Sequence, residues 1–181
     1  MKKMLSLLLP LILSLFLCGC HQGESVNLLH FTDNLNRIRE KEKISLSDYL
    51  VDGKAYRLMI NAEAPLLLTL EEDEGGKIKK IRLTIGKTDK KGNTVRVSDS
   101  DAAYFTRTAC EILGAFTFYE KEECESLVKA LLPPTGDGFM KTGEATTDKE
   151  NFHLVCYSNK LCLQFFAVNT YLEETESTTK P

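Results

Sequence analysis

Phe152-His-Leu-Val-Cys-Tyr-Ser-Asn-Lys-Leu-Cys-Leu-Gln-Phe-Phe-Ala-Val-Asn169 alternates apolar with other residues on both sides of Asn159-Lys160. Side chains on a strand point to opposite faces in turn, so this spacing predicts a β-hairpin. A two-residue turn at Asn159-Lys160 puts Leu154 and Cys156 on one face with Leu161, Leu163, Phe165 and Ala167. That face is the candidate core. A lone hairpin is at best marginal in water, so the rest of the chain has to supply more strands and a covering layer.

Upstream, Ala55–Ile60 alternates with Tyr56, Leu58 and Ile60 in phase, and 66–71 reads as a second strand after Pro65. Asp73-Glu74-Gly75-Gly76 is a turn, since glycine takes positive φ without steric cost. The returning strand, 77–85, has Ile81, Leu83 and Ile85 in phase and Ile78 out of phase, which predicts a bulge near Lys79. The acids at 71–74, beside Lys77, Lys79 and Lys80, read as a solvated hairpin tip. The stretch 86–94 is polar and reads as a surface loop.

Helices come between the two strand blocks. Ser98-Asp99-Ser100-Asp101 offers overlapping caps, Phe105, Ala109, Ile112 and Leu113 make a stripe, and Gly114 is the expected stop. Thr117-x-x-Glu120 resembles a capping box for a second helix with Cys124, Leu127, Val128 and Leu131 inward, ended by Pro133-Pro134. Residues 135–151 read as irregular and partly extended. An N-terminal helix is expected from a Ser25 cap to about Glu40, with Val26, Leu29, Leu35 and Ile38 apolar, and the run 37–43 is a solvated charged end. The expected fold is α+β: an antiparallel sheet of about five strands, with the N-terminal helix and a central helix pair packed on one face. One domain, 26–172, precedes a polar tail at 173–181.

The first twenty residues are of another kind. Lys2 and Lys3 precede Met4–Leu17, where eleven of fourteen residues are apolar and eight are Leu. That is the basic head and apolar run of a secretory signal. Fourteen helical residues span ~21 Å, short of a ~30 Å hydrocarbon core, and Pro10 interrupts them. The run ends in Leu17-Cys18-Gly19-Cys20, which resembles the lipobox of bacterial lipoproteins, although Cys18 stands where Ser, Ala or Thr is commoner. The resemblance implies cleavage between Gly19 and Cys20, a diacylglycerol on the Cys20 thiol, and anchorage in the cell membrane on its extracytoplasmic face. Two acyl chains hold a protein stably where one does not. Residues 21–25 would be a tether of at most ~17 Å.

Charge and motifs narrow the function classes. Without residues 1–20 the chain has 21 basic and 26 acidic side chains, a net −5, which argues against nucleic acid as a partner. Four cysteines remain: Cys110, Cys124, Cys156 and Cys162. An exported chain permits disulfides among them, Cys110 with Cys124 stapling the helices, or Cys156 with Cys162 only if the hairpin loop has three residues. Buried free thiols are the other reading. No zinc spacing, P-loop or serine-hydrolase motif occurs, and no cofactor or metal is implied. Cys110, Cys124 or Cys162 could arithmetically pair with His153 as a catalytic couple, but nothing local marks any of them as activated. The expected role is a tethered binding or protein-interaction module of the cell envelope with a protein partner. The alternatives are a small-ligand carrier with a pocket between helices and sheet, and a Cys/His enzyme.

Overall fold

The structure, a computed structural model, describes residues 25–40, 45–51, 55–60, 66–88, 94–132, 143–159 and 161–173. Its elements, in chain order, are α1 (Leu28–Arg39), β1 (Ser45–Val51), β2 (Ala55–Ile60), β3 (Leu66–Glu72), β4 (Ile78–Thr88) and β5 (Thr94–Val95). Then come α2 (Asp99–Thr117), α3 (Lys121–Leu131), β6 (Gly143–Lys149), β7 (Phe152–Ser158) and β8 (Cys162–Asn169). The strands form one antiparallel sheet in the order β1-β2-β3-β4-β8-β7-β6, with β5 added to the far end of β4. The fold is α+β, as expected. All five expected strands are present, and β1, β5 and β6 extend the sheet at its margins.

Burial follows the strand period. Leu66, Leu68 and Leu70 on β3 and Ile81, Leu83 and Ile85 on β4 are fully buried. Leu154 and Cys156 on β7 join Leu163, Phe165 and Ala167 on β8. Against this face pack Phe105, Ala109, Ile112, Leu113 and Phe116 of α2, with Phe31 and Leu35 of α1 and Cys124 and Val128 of α3. The bulge near Lys79 is present: Glu71 pairs with Lys80 but Glu72 with Ile78, so one extra β4 residue lets Ile78 and Ile81 both turn inward.

The β7–β8 pairing closes two residues farther along than an Asn159-Lys160 turn allows. Ser158 pairs with Leu163, and the Asn159 side chain accepts from the Leu161 and Cys162 N–H groups, both at 2.8 Å. That Asx geometry supplies the turn. A slip of two leaves every face unchanged except that Leu161 moves to the tip, where it is exposed.

Helix boundaries depart from expectation for local reasons. Asn27, not Ser25, caps α1: its Oδ1 accepts from His30 N–H at 2.9 Å. Residues 25–27 are instead extended, because the Val26 carbonyl accepts from Ile78 N–H at 2.8 Å. The buried stripe of α1 is therefore Phe31, Leu35 and Arg39, leaving Leu29 and Ile38 exposed. Ser98 caps α2 in a reciprocal box with Asp101. Gly114 does not end α2, which runs on to Thr117 and stops at Phe118 in the left-handed region (φ 63°). Thr117 is no cap for α3 either. Its hydroxyl donates to the Leu113 carbonyl at 2.8 Å, and Glu120 occupies the N-cap without a side-chain bond. In α3, Cys124, Val128 and Leu131 are buried and Leu127 is half-buried.

Candidate functional site

The centre of the helix–sheet layer is closed to solvent among the described residues: Phe105, Leu113 and Phe116 from the helix and Leu68, Leu83 and Phe165 from the sheet are all at most 1% exposed. A cavity lies on the other side of the helices. A groove of about 1120 Å³, half open to solvent, runs between the C-terminal end of α1, the outer face of α2 and α3.

Helical spacing explains it. On the side of α2 away from the Phe105–Phe116 stripe, Ala103, Thr106, Cys110 and Gly114 follow one another at three- and four-residue steps and line the groove. These residues are small, so neighbouring helices meet across a trough instead of a ridge. Ile38 of α1 and Cys124 of α3 wall it at the Gly114 end, each within 3.6 Å of where a Gly114 Cβ would stand.

Charge of both signs rims the trough. Arg37, Arg107, Lys121 and Lys129 line it with Glu40, Glu111, Glu120 and Glu125. Several are already paired. Glu111 lies 3.3 Å from Arg39 and 3.7 Å from Arg107, and Lys129 bonds Glu125 at 2.8 Å. The Glu125 bond lowers the pKa of Glu125 and raises that of Lys129. Arg107 also stacks over Tyr104 at 4.9 Å.

The candidate cysteines separate. Cys110 and Cys124 both line the groove, Cys156 sits in the core, and Cys162 lies on the opposite face of the sheet. All four are free thiols, and the register places Cys156 against Phe165 and not against Cys162. Burial, with Glu125 adding, pushes the Cys110 thiol up to about 11. Burial, then Cys110, pushes Cys124 up to about 12, and burial alone pushes Cys156 up to about 12. Burial raises Cys162 as well. Reactive thiols are shifted the other way. His153 stands on the open sheet face, its Nδ1 2.6 Å from Asp148, and among the described residues no cysteine hydrogen-bonds a histidine. Among the described residues no group of three metal-ligating side chains occurs. Gly19 and Cys20 lie outside the described residues, as does the tail from 174 on.

The open sheet face holds a smaller feature. Phe166 meets Tyr157 edge-on at 5.8 Å, with Lys80 and Arg82 over its ring at 5.9 and 6.0 Å. Cations cap this aromatic pair, so it is no bare apolar patch.

The groove is not legible in the sequence. The signal available was the small-residue series Ala103, Cys110, Gly114 opposite the apolar stripe of α2, which marks a shallow back but not what flanks it. Compared with protein-family models, curated proteins and solved structures, the chain matches none.

Proposed function

We propose that this protein is a lipoprotein held by a diacylglyceryl Cys20 on the outer face of a membrane, and that it binds a polypeptide segment of an envelope protein in the three-helix groove. The observation that carries the reading is the groove: half open, floored by small residues and rimmed by interleaved charge. A small-molecule site encloses most of its ligand, and this one is a trough. Four cations and four carboxylates line it, so its field suits a chain bearing both signs and does not suit a polyanion. Protonated thiols and the separation of His153 from the groove weigh against a Cys/His catalyst.

Two measurements on intact cells test the two halves. Cys20→Ser is expected to move the protein out of the membrane fraction and block signal processing; unchanged fractionation and processing would sink the anchor. A photo-crosslinking residue at Thr106, in the groove, is expected to give one discrete protein adduct that Arg107→Glu abolishes. The same residue at Thr84, on the open sheet face, is expected to give none. Adducts from Thr84 alone, or from neither site, defeat the groove reading.

A further inference from the structure

We infer that the end of the domain carrying Ser25 and the β3–β4 turn is a membrane-contacting face, with Leu29 and Tyr171 seated in the lipid headgroup layer; this rests on the anchor reading above. Two independent observations meet at that end. The first is where the tether stops. Lys77 Nζ donates to the Ser25 carbonyl at 3.3 Å, Val26 is 1% exposed, and Asn27 bridges to Lys77. The chain is thus fixed to the base of the β3–β4 turn only five residues after Cys20, a reach of at most ~17 Å. A folded partner about 30 Å across does not fit under that end, whereas a headgroup layer does.

The second observation is which side chains are bare there. Leu29, 66% exposed, and Tyr171, 54% exposed, are the two most exposed large hydrophobic residues among the described ones. Leu29 is in the first turn of α1, next to Asn27. Tyr171 follows the end of β8, and Val168 pairs with Lys80, so this end of β8 lies beside the start of β4 where Asn27 and Lys77 meet. Single exposed apolar residues are ordinary on a soluble surface. Here the two barest stand at the one end that the tether holds against lipid, where a tyrosine ring is favoured at the headgroup level and a leucine on the lipid side of a helix buries its apolar surface. The turn carries Asp73 and Glu74 as well as Lys77, so the contact does not depend on anionic lipid.

The chain has no tryptophan, so Leu29→Trp, Tyr171→Trp and Leu161→Trp variants each contain one emitter. Leu161, 45% exposed, is the control. It lies eight residues along the strand direction from Asn169, some ~26 Å toward the other end. Each lipidated full-length variant is reconstituted into phosphatidylcholine vesicles with and without bromine on the upper acyl carbons, and flotation is scored alongside emission. All three are expected to float. The variants at 29 and 171 are expected to blue-shift and lose about half their emission to bromolipid, and the one at 161 about a tenth or less. Floating variants at 29 and 171 quenched no more than the one at 161 overturn the inference and leave the anchor standing. Protein that carries no lipid on Cys20 and fails to float overturns the anchor, and the inference with it.

Discussion

Arg39 Nε lies 3.3 Å from the Glu111 carboxylate, and the Arg39 side chain is 1% exposed. The same guanidinium donates to the Tyr104 hydroxyl at 2.9 Å. This contact ties the last turn of α1 to α2 through Glu111, which also lines the groove. Replacing Arg39 removes the nearer and buried counter-ion of Glu111 and leaves that carboxylate only Arg107, 3.7 Å away and half exposed. Arg39→Met is therefore expected to cost about 3 kcal/mol, and Arg39→Met with Glu111→Leu markedly less. Urea unfolding reads both: the midpoint should fall in the single variant and largely return in the double one, with the slope unchanged. A single variant as stable as the parent contradicts the pairing.

The raised thiols set a pH window. Cys110, Cys124 and Cys156 have folded pKa values of about 11, 12 and 12, against 9.0 unperturbed. A folded state that holds its protons more tightly than the unfolded chain loses stability as pH rises past the unfolded pKa. Stability is therefore expected to be flat below pH 9 on this account and to fall between 9 and about 12. Chemical denaturation at pH 8 and pH 10.5 tests the sign, and Cys156→Ala should flatten part of the slope. For Cys110, two pH units lower the thiolate fraction at pH 8 about 100-fold, so native alkylation by iodoacetamide should be slower by a similar factor. Labelling at the rate of a free thiol contradicts the burial.

Phe165 and Phe166 are neighbours in sequence with opposite fates. Phe165 is fully buried under α2, and Phe166 faces outward between Tyr157, Lys80 and Arg82. Phe165→Ala is expected to cost about 4 kcal/mol, mostly as a cavity, and Phe166→Ala about 1 kcal/mol. Equal losses in thermal unfolding would mean the register is off by one residue.

That pair also shows how far the sequence could be read. Alternation fixed the inward face of β3, β4, β7 and β8, because each exposes one side to the helices and one to solvent. Even the bulge at Lys79 was visible as a phase change between Ile78 and Ile81. β6 was not visible: Gly143–Lys149 is polar, at most half-buried, and is held by backbone pairing to β7 at the sheet's edge, where an apolar face is not required. α1 starts later than the Ser25 cap predicts because Val26 bonds to β4, a contact about fifty residues away in sequence. The groove depends on how three helices sit relative to one another, and no local pattern reports that.

Gly114 joins the helix and the groove in one test. It lies inside α2 with helical geometry, and a Cβ there would stand 3.5 Å from Ile38 Cδ1 and 3.6 Å from both Cys124 Sγ and the Tyr119 carbonyl. Those are ordinary contacts, so alanine fits. Glycine inside a helix is worth about 1 kcal/mol less than alanine. Gly114→Ala should therefore raise the melting temperature by roughly 2–4 °C, the shift for about 1 kcal/mol at this chain length. Had Gly114 been the helix stop, in the left-handed region, the same change would lower it. Gly114→Leu is different: its branched end must push out Ile38 or Cys124 and fill the trough. It is expected to abolish the Thr106 crosslink even though Gly114→Ala preserves it, and a Gly114→Leu protein that still yields the adduct places the partner elsewhere.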